Sequence, residues 1–367
     1  MNVSGRKQNG RRKAWLVFAA MFLLYVLTGC SADKAERPEE WNGKKESAAR
    51  VTVVTTLFPY YDFVRQVAGD HVDLSLVIPA GMDSHSFEPT PKDIRLIQDA
   101  DVLIANGGSM ELWLNQVLDS LDTEDMDVVF MMDHVDVVAE EVVEGMEDTG
   151  EEHHHIHAFE EEEHENHDSG REGKNYKEQG SAYEDESQYE IEYDEHIWTS
   201  PVNAVKMVEV IRDTLKEADP ENSAAYEASA SEYRKKLKAL DGEFKAVRAE
   251  AIHDMIIMGD KFPLRYFADA YDLRYRAAFS GCSSDTEPSA KTIAYLIDKV
   301  REERLSAIYY LELSSHRVAE IISEETGAQP LLLHSCHNVT RREFEDGVTY
   351  LDLMEQNVKN LREGLCK

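Results

Sequence analysis

The sequence predicts an α/β protein made of two parallel-sheet lobes joined by one long, rigid helix. Three observations carry that reading. Residues 51–131 alternate β-branched runs with helical segments, and residues 255–365 repeat the same rhythm. Between them, residues 222–252 are rich in Ala, Glu, Lys and Leu with one interior Gly.

In the first lobe, 51–56 is a β-branched strand, 60–68 a helix and 72–78 a second strand. Residues 91–100 begin on Pro91, which suits the first turn of a helix; 102–105 then reads as a strand, 111–121 as a helix and 128–131 as a strand. A helix over 201–217 precedes the long one, which at full length spans roughly 45 Å and acts as a strut. The second lobe runs as strand 255–258, helix 263–270, strand 274–279, helix 290–301, strand 307–311, helix 316–326, strand 330–333 and a final helix 343–365.

The N-terminus has the shape of a bacterial secretory signal. Arg6, Lys7, Arg11, Arg12 and Lys13 precede an apolar run, 14–27, that is shorter than the about 20 residues a membrane-spanning helix needs. It ends in Leu27-Thr28-Gly29-Cys30, which resembles a lipobox, and so implies cleavage before Cys30 and lipid on its sulfur. The expected organisation is signal 1–29, disordered tether 30–50, first lobe 51–218 with an acidic insert at 140–195, linking helix 219–252 and second lobe 253–367. That places the mature chain outside the cytoplasm, anchored to the cell membrane. Export makes Cys282 and Cys336 a candidate disulfide, with Cys366 at a frayed end; two thiols at strand ends, or one thiol on a metal, are the alternatives.

A formal charge of -33 excludes a nucleic-acid binder, because phosphate would be repelled. Much of the excess lies in the insert, which holds only three basic residues. Within it, His153, His154, His155, His157, His164 and His167 stand among carboxylates, a donor set for divalent transition metals, with a merely solvated acidic linker as the alternative. Single histidines flank this tract in distinctive settings. His85 follows the second strand in a Gly-Met-Asp-Ser-His-Ser-Phe-Glu-Pro-Thr segment, and His196 precedes a helix in Asp-Glu-His-Ile-Trp-Thr-Ser-Pro. Asp260 follows strand 255–258, and His334 follows 330–333 with His337 as its rival three residues on. Ligands of open α/β sheets bind beyond the carboxyl ends of strands, so two facing lobes would bring these groups to one metal site in the interlobe cleft.

These segments resemble the zinc and manganese solute-binding lipoproteins of bacterial ABC importers, of the cluster A-I type and its zinc-specific branch. The matching residues are Leu57 to Asp62, Pro79-Ala80-Gly81 before His85, Glu88 to Asp93, Asp194 to Pro201, Gly259 to Pro263 with Arg265-Tyr266-Phe267, and Leu333-His334-Ser335. The resemblance implies metal ligands at His85 and His196, a fourth at His334 where the family often has Asp, and Glu88 holding an imidazole by its second ring nitrogen. The family's third ligand, a His or Glu, has no match here; Asp260 is the nearest carboxylate, beside Lys261, with which it could instead simply pair. Three imidazoles and one carboxylate favour Zn²⁺ over Mn²⁺. The implied protein is a monomer and not an enzyme, partnered by an ABC permease and its ATPase. A manganese importer component, a zinc metallohydrolase and a surface adhesin on the same fold are the alternatives.

Overall fold

The computed structural model describes residues 50–146, 192–283 and 287–367. Cys30, the signal and tether, and the histidines of the acidic tract lie outside the described residues.

The first lobe is a four-stranded parallel sheet in the order β2-β1-β3-β4, formed by β1 (Val51–Thr55), β2 (Val72–Leu76), β3 (Val102–Ala105) and β4 (Asp127–Phe130). β3 is buried along its whole length, as expected for a central strand covered on both faces. Its helices are α1 (Phe58–Ala68), α2 (Pro91–Gln98) and α3 (Leu112–Leu118). Pro59 opens α1 and Gly69 closes it at φ +54, while Pro91 and a Thr90–Asp93 capping box fix the start of α2.

α4 (Pro201–Ala218) and α5 (Ser223–Glu250) follow, and then the second lobe repeats the pattern. Its sheet has the order β6-β5-β7-β8, all parallel, from β5 (Met255–Phe262), β6 (Arg274–Ser280), β7 (Ala307–Tyr310) and β8 (Gln329–Leu332). Its helices are α6 (Arg265–Ala270), α7 (Ala290–Glu303), α8 (Arg317–Thr326), α9 (Arg341–Glu345) and α10 (Tyr350–Leu365). None of the described helices is long and apolar enough to cross a membrane.

α5 is the strut. Its buried residues Tyr226, Ala230, Tyr233, Leu237, Leu240, Phe244 and Val247 recur at alternating steps of four and three, one continuous stripe. The early part meets the first lobe, where Tyr233 packs on Phe63 and its hydroxyl lies 3.4 Å from Asp62. The later part meets the second, where Phe244 packs edge-on to Phe267 with ring centroids 4.8 Å apart. Asp62, fully buried, also accepts from the Arg65 guanidinium and from the Tyr350 backbone N–H, so α1, α5 and α10 converge on one carboxylate.

Four expectations need correction. The final helix is two, because Gly347 at φ +76 ends α9 and Thr349 starts α10 with its own capping box. Asp260 lies within β5, where the register with β6 shifts between Met258 and Lys261, rather than beyond a strand end. Cys282 and Cys336 are free thiols: the first lies among Glu140, Asp194 and Glu195, the second in the core among Asp62 and Glu312. Cys366 is not frayed, since its thiol approaches the Val247 carbonyl at 3.7 Å against α5.

Candidate metal centre

Three loops converge on one side of the interlobe cleft, each bringing one imidazole. The nitrogens of His85, His196 and His337 lie within 4.8 Å of one another. Their ring centroids form a nearly equilateral triangle with sides of 5.9, 5.7 and 5.7 Å. Tetrahedral zinc, at about 2.1 Å from each nitrogen, holds its ligands roughly 3.4 Å apart, so small ring rotations suffice to close the set on an ion.

His85 stands in the turn after β2, its backbone N–H donating to Asp83 Oδ1 at 3.2 Å. Burial, with His196 as a neighbour, lowers its pKa to about 4. His196 is buried, and Asp194 Oδ1 meets both its backbone N–H at 2.8 Å and its Nδ1 at 3.1 Å. The carboxylate thus fixes the tautomer that leaves Nε2 for the cleft. Tyr266 of α6 donates to the Asp194 carbonyl at 2.7 Å, giving the Arg265-Tyr266-Phe267 segment a role in aiming His196 from the opposite lobe. Glu195 braces the same segment by accepting the backbone N–H groups of Ser109 and, at 2.7 Å, Met110. Burial raises the pKa of that carboxylate.

His337 sits in the turn after β8. Its Nε2 hydrogen-bonds Ser84 Oγ across the cleft, which leaves Nδ1 for a metal. Burial, with His196 and His85 close by, pushes its pKa well below the usual 6.5. Trp198 links this turn to the His196 segment: its indole N–H donates to the Ser335 carbonyl at 2.9 Å, and its ring packs against both histidines.

His334 does not reach the cluster. Asn357 clamps it, accepting from its backbone N–H at 2.8 Å and donating to its carbonyl at 2.7 Å. Its Nδ1 accepts the Cys336 N–H, and Cys336 at φ +60 turns the chain so that the side chain three residues on faces the cleft instead. Asp260 lines the cleft but stands apart from the three imidazoles. Burial raises its pKa, and its carboxylate is engaged by the Ser314 side chain and by the backbone N–H groups of Lys261 and Leu311. Glu88 is exposed and holds no imidazole; Asp194 and Ser84 perform that task. Both stand inside the motifs of the histidines they hold, Ser84 directly before His85 and Asp194 two residues before His196, but the sequence assigned neither a role.

Residues 53–364 match the ZnuA family, described as zinc-uptake complex component A, periplasmic. The chain belongs to this family. It is similar to the zinc-binding lipoprotein AdcA of Streptococcus pneumoniae serotype 4, 31% identical over 353 residues that make up 96% of this chain and 61% of AdcA. It is also similar to the high-affinity zinc uptake system protein ZnuA of Bacillus subtilis, 32% identical over 364 residues, covering 96% of this chain and 98% of that one. The chain therefore spans little more than six-tenths of the streptococcal relative but nearly all of the Bacillus one. Among solved structures, the metal-dependent lipoprotein YcdH of Bacillus subtilis superposes with a TM-score of 0.66 at 28% identity, covering 87% of this chain and 100% of YcdH. The Zn(II)-bound ZnuA-like domain of Streptococcus pneumoniae AdcA gives 0.65 at 28% identity, with coverage of 87% and 100%. Two parallel-sheet lobes and a long connecting helix are thus the fold of this ZnuA-family chain.

Proposed function

We propose that this ZnuA-family protein is the extracytoplasmic zinc-binding component of an ABC importer. It captures Zn²⁺ on His85, His196 and His337 and delivers it to a membrane permease driven by an ATPase. The observation that carries the reading is the triangle of imidazoles at the cleft, a donor set matched to Zn²⁺ rather than to oxygen-preferring Mn²⁺. The zinc-binding names of the relatives support the same metal. The proposal includes lipid anchoring at Cys30 and an accessory role for the acidic histidine tract, which would raise local zinc concentration. The strut packs on both lobes, so capture needs ring rotations and a small closing motion rather than a wide hinge swing.

One observation favours a second reading. Three imidazoles leave a fourth metal position open, as in zinc hydrolases. Against it, the carboxylate of Asp260, which lines the cleft apart from the imidazoles, already accepts from the Lys261 and Leu311 backbone and from Ser314, so it is poorly placed to activate water.

Calorimetric titration of Zn²⁺ and Mn²⁺ into metal-free residues 31–367, compared with a variant lacking residues 148–190, tests the proposal. One tight zinc site that survives the deletion, with weaker manganese binding and no esterase activity in the loaded protein, is the expected result. Loss of tight binding with the tract, or equal competition by manganese, would overturn it.

A further inference from the structure

The two ends of the acidic insert pair with each other beside the metal centre. The Asp194 N–H donates to the Val138 carbonyl and the Glu140 N–H to the Glu192 carbonyl, each at 2.9 Å, on either side of an antiparallel bridge between Ala139 and Tyr193. His196 follows two residues after Asp194. This short two-stranded strap starts from the first lobe, where Asp136 pairs with Lys206 of α4 at 2.9 Å.

The next anchors lie in the second lobe. Tyr266 of α6 stitches both strands, accepting the Val138 N–H at 3.2 Å and donating to the Asp194 carbonyl at 2.7 Å. Glu140 Oε1 accepts the Cys282 N–H at 3.0 Å. Glu141 accepts from the Arg265 guanidinium and, at 2.9 Å, from the Tyr275 hydroxyl. An isolated ion pair as accessible as this one, with Arg265 21% and Glu141 48% exposed, contributes little. Here both donors are held in place beforehand: Asp269 fixes Arg265 Nε, and the Tyr275 ring stacks on Phe262 of β5 with centroids 3.8 Å apart. Little further ordering opposes the contact, so the carboxylate works as a latch.

Glu140 reaches His196 by a second route. The N–H that it accepts belongs to the turn after β6, and Gly281 in that turn is so close to the His196 ring that an added Cβ would stand 3.2 Å from Cε1 and Nδ1. The same carboxylate thus ties the strap that carries His196 to the turn that backs its ring. Neither Glu140 nor Glu141 belongs to the imidazole cluster, so both act through His196 and not on the ion.

We propose that the two ends of the insert form an interlobe strap, latched to the second lobe by Glu140 and Glu141, that sets how long the metal stays bound by holding His196 against the other two imidazoles. This rests on the three-histidine site described above. When the latch opens, the backbone that carries His196 loses its hold on the second lobe, where His337 stands, and the ligand set comes apart. Glu140 and Glu141 are positioning residues, and their effect falls on release of the ion rather than on its capture.

The test measures zinc release from the mature full chain, loaded with substoichiometric Zn²⁺ and mixed rapidly with excess fluorescent chelator. Wild type is compared with Glu140→Ala, with Glu141→Ala, with both alanine changes together, and with Glu140→Gln and Glu141→Gln together, whose amide oxygens still accept hydrogen bonds. The double alanine variant is expected to release zinc about tenfold or more faster, the scale on which partners behind a metal ligand act, and each single one about threefold faster. The double glutamine variant should recover most of the wild-type lifetime. Both doubles lose the same charge, so their association rates should match and the difference between them should fall on release. Wild-type release from the double alanine variant would overturn the proposal, since the strap then holds nothing. Equally fast release from the two doubles would overturn it too, because the carboxylates then act only by long-range attraction of the cation. If thermal melts show the metal-free double alanine variant to be unfolded, the single alanine variants decide the matter by the same criteria. His337→Ala, run alongside, separates the two readings. Zinc held by it as long as by wild type would overturn the three-histidine site and the strap with it, whereas fast release from His337→Ala and wild-type release from the double alanine variant would remove the strap alone.

Discussion

The backbone N–H of Cys336 donates to Nδ1 of His334 at 2.9 Å, and that bond decides which of two histidines three residues apart faces the cleft. With its ring held inside the turn, His334 supports a left-handed residue at Cys336, and the chain beyond presents His337. Ser335 completes the turn: its hydroxyl accepts the His337 N–H at 3.2 Å and itself donates to Glu312.

The two histidines should therefore fail differently. His337→Ala is expected to lower zinc affinity by roughly 100-fold or more, beyond what loss of an orienting partner causes. His334→Ala should cost about 1–3 kcal/mol of stability, through a buried Cys336 N–H left without its acceptor, and weaken zinc binding by less. Competition against a calibrated chelator, with thermal melts of the metal-free proteins, separates them. Equal losses of affinity in the two variants would sink the assignment.

Asp194 makes a sharper test of positioning. Of the three clustered imidazoles it hydrogen-bonds that of His196, and it holds that residue by both backbone and ring. Asp194→Asn keeps the shape and removes the charge that makes the imidazole a stronger donor, so zinc affinity should drop by about 10- to 100-fold. An unchanged dissociation constant would mean that the Trp198 packing alone orients the ring.

Most of the fold was legible in the sequence because its signals are local. Pro59, Pro91 and Pro201 open helices, β-branched runs form the buried strands, and the Ala-, Glu-, Lys- and Leu-rich run over 222–252 forms the long helix α5. The break after α9 was signalled by Gly347 and by Thr349-x-x-Asp352, but the apolar periodicity continues across it and masks the stop. The cleft was half legible. His85 and His196 stand where their motifs place them, whereas the choice between His334 and His337 depends on a positive φ at Cys336 that no residue type announces. The Cys282–Cys336 pairing failed for a related reason: both residues follow strands of one sheet, but nothing in their spacing reveals that one turns toward the first lobe and the other into the core.

Acidification should weaken the metal-free fold through the same imidazoles. Burial holds His85 at about 4 and His337 well below 6.5. Between those values the unfolded chain binds protons that the folded one refuses, so stability is full above pH 6.5 and declines as pH falls toward 4. Each ring contributes up to about 1.4 kcal/mol per pH unit in that window. Urea melts of chelator-treated protein at pH 7, 6 and 5 should show the decline, and a His85→Gln, His337→Gln double variant should show a shallower one. Parallel profiles for the two proteins would place the acid sensitivity elsewhere.

Gly281 offers a way to move one imidazole without altering any donor. A Cβ added there would stand 3.0 Å from the Phe262 carbonyl oxygen and 3.2 Å from Cε1 and Nδ1 of His196. The carbonyl belongs to β5 and cannot easily give, and the ring is tethered through Nδ1 to Asp194. The ring must therefore shift by a few tenths of an ångström, or the turn after β6 must back away and widen the cleft. Either response spoils a site whose ligands must meet one ion within about 0.5 Å, so Gly281→Ala is expected to lower zinc affinity by roughly tenfold or more. Gly242→Ala, in the middle of α5 where an added Cβ meets nothing within 4 Å, serves as the comparison. It should leave zinc binding alone and stabilise the protein by about 0.5–1 kcal/mol, since a helix-interior glycine is replaced by a better helix former. If Gly281→Ala instead lowers the melting temperature with zinc affinity intact, the strain is being absorbed by β5 and the His196 ring is held more firmly than its Asp194 tether alone implies.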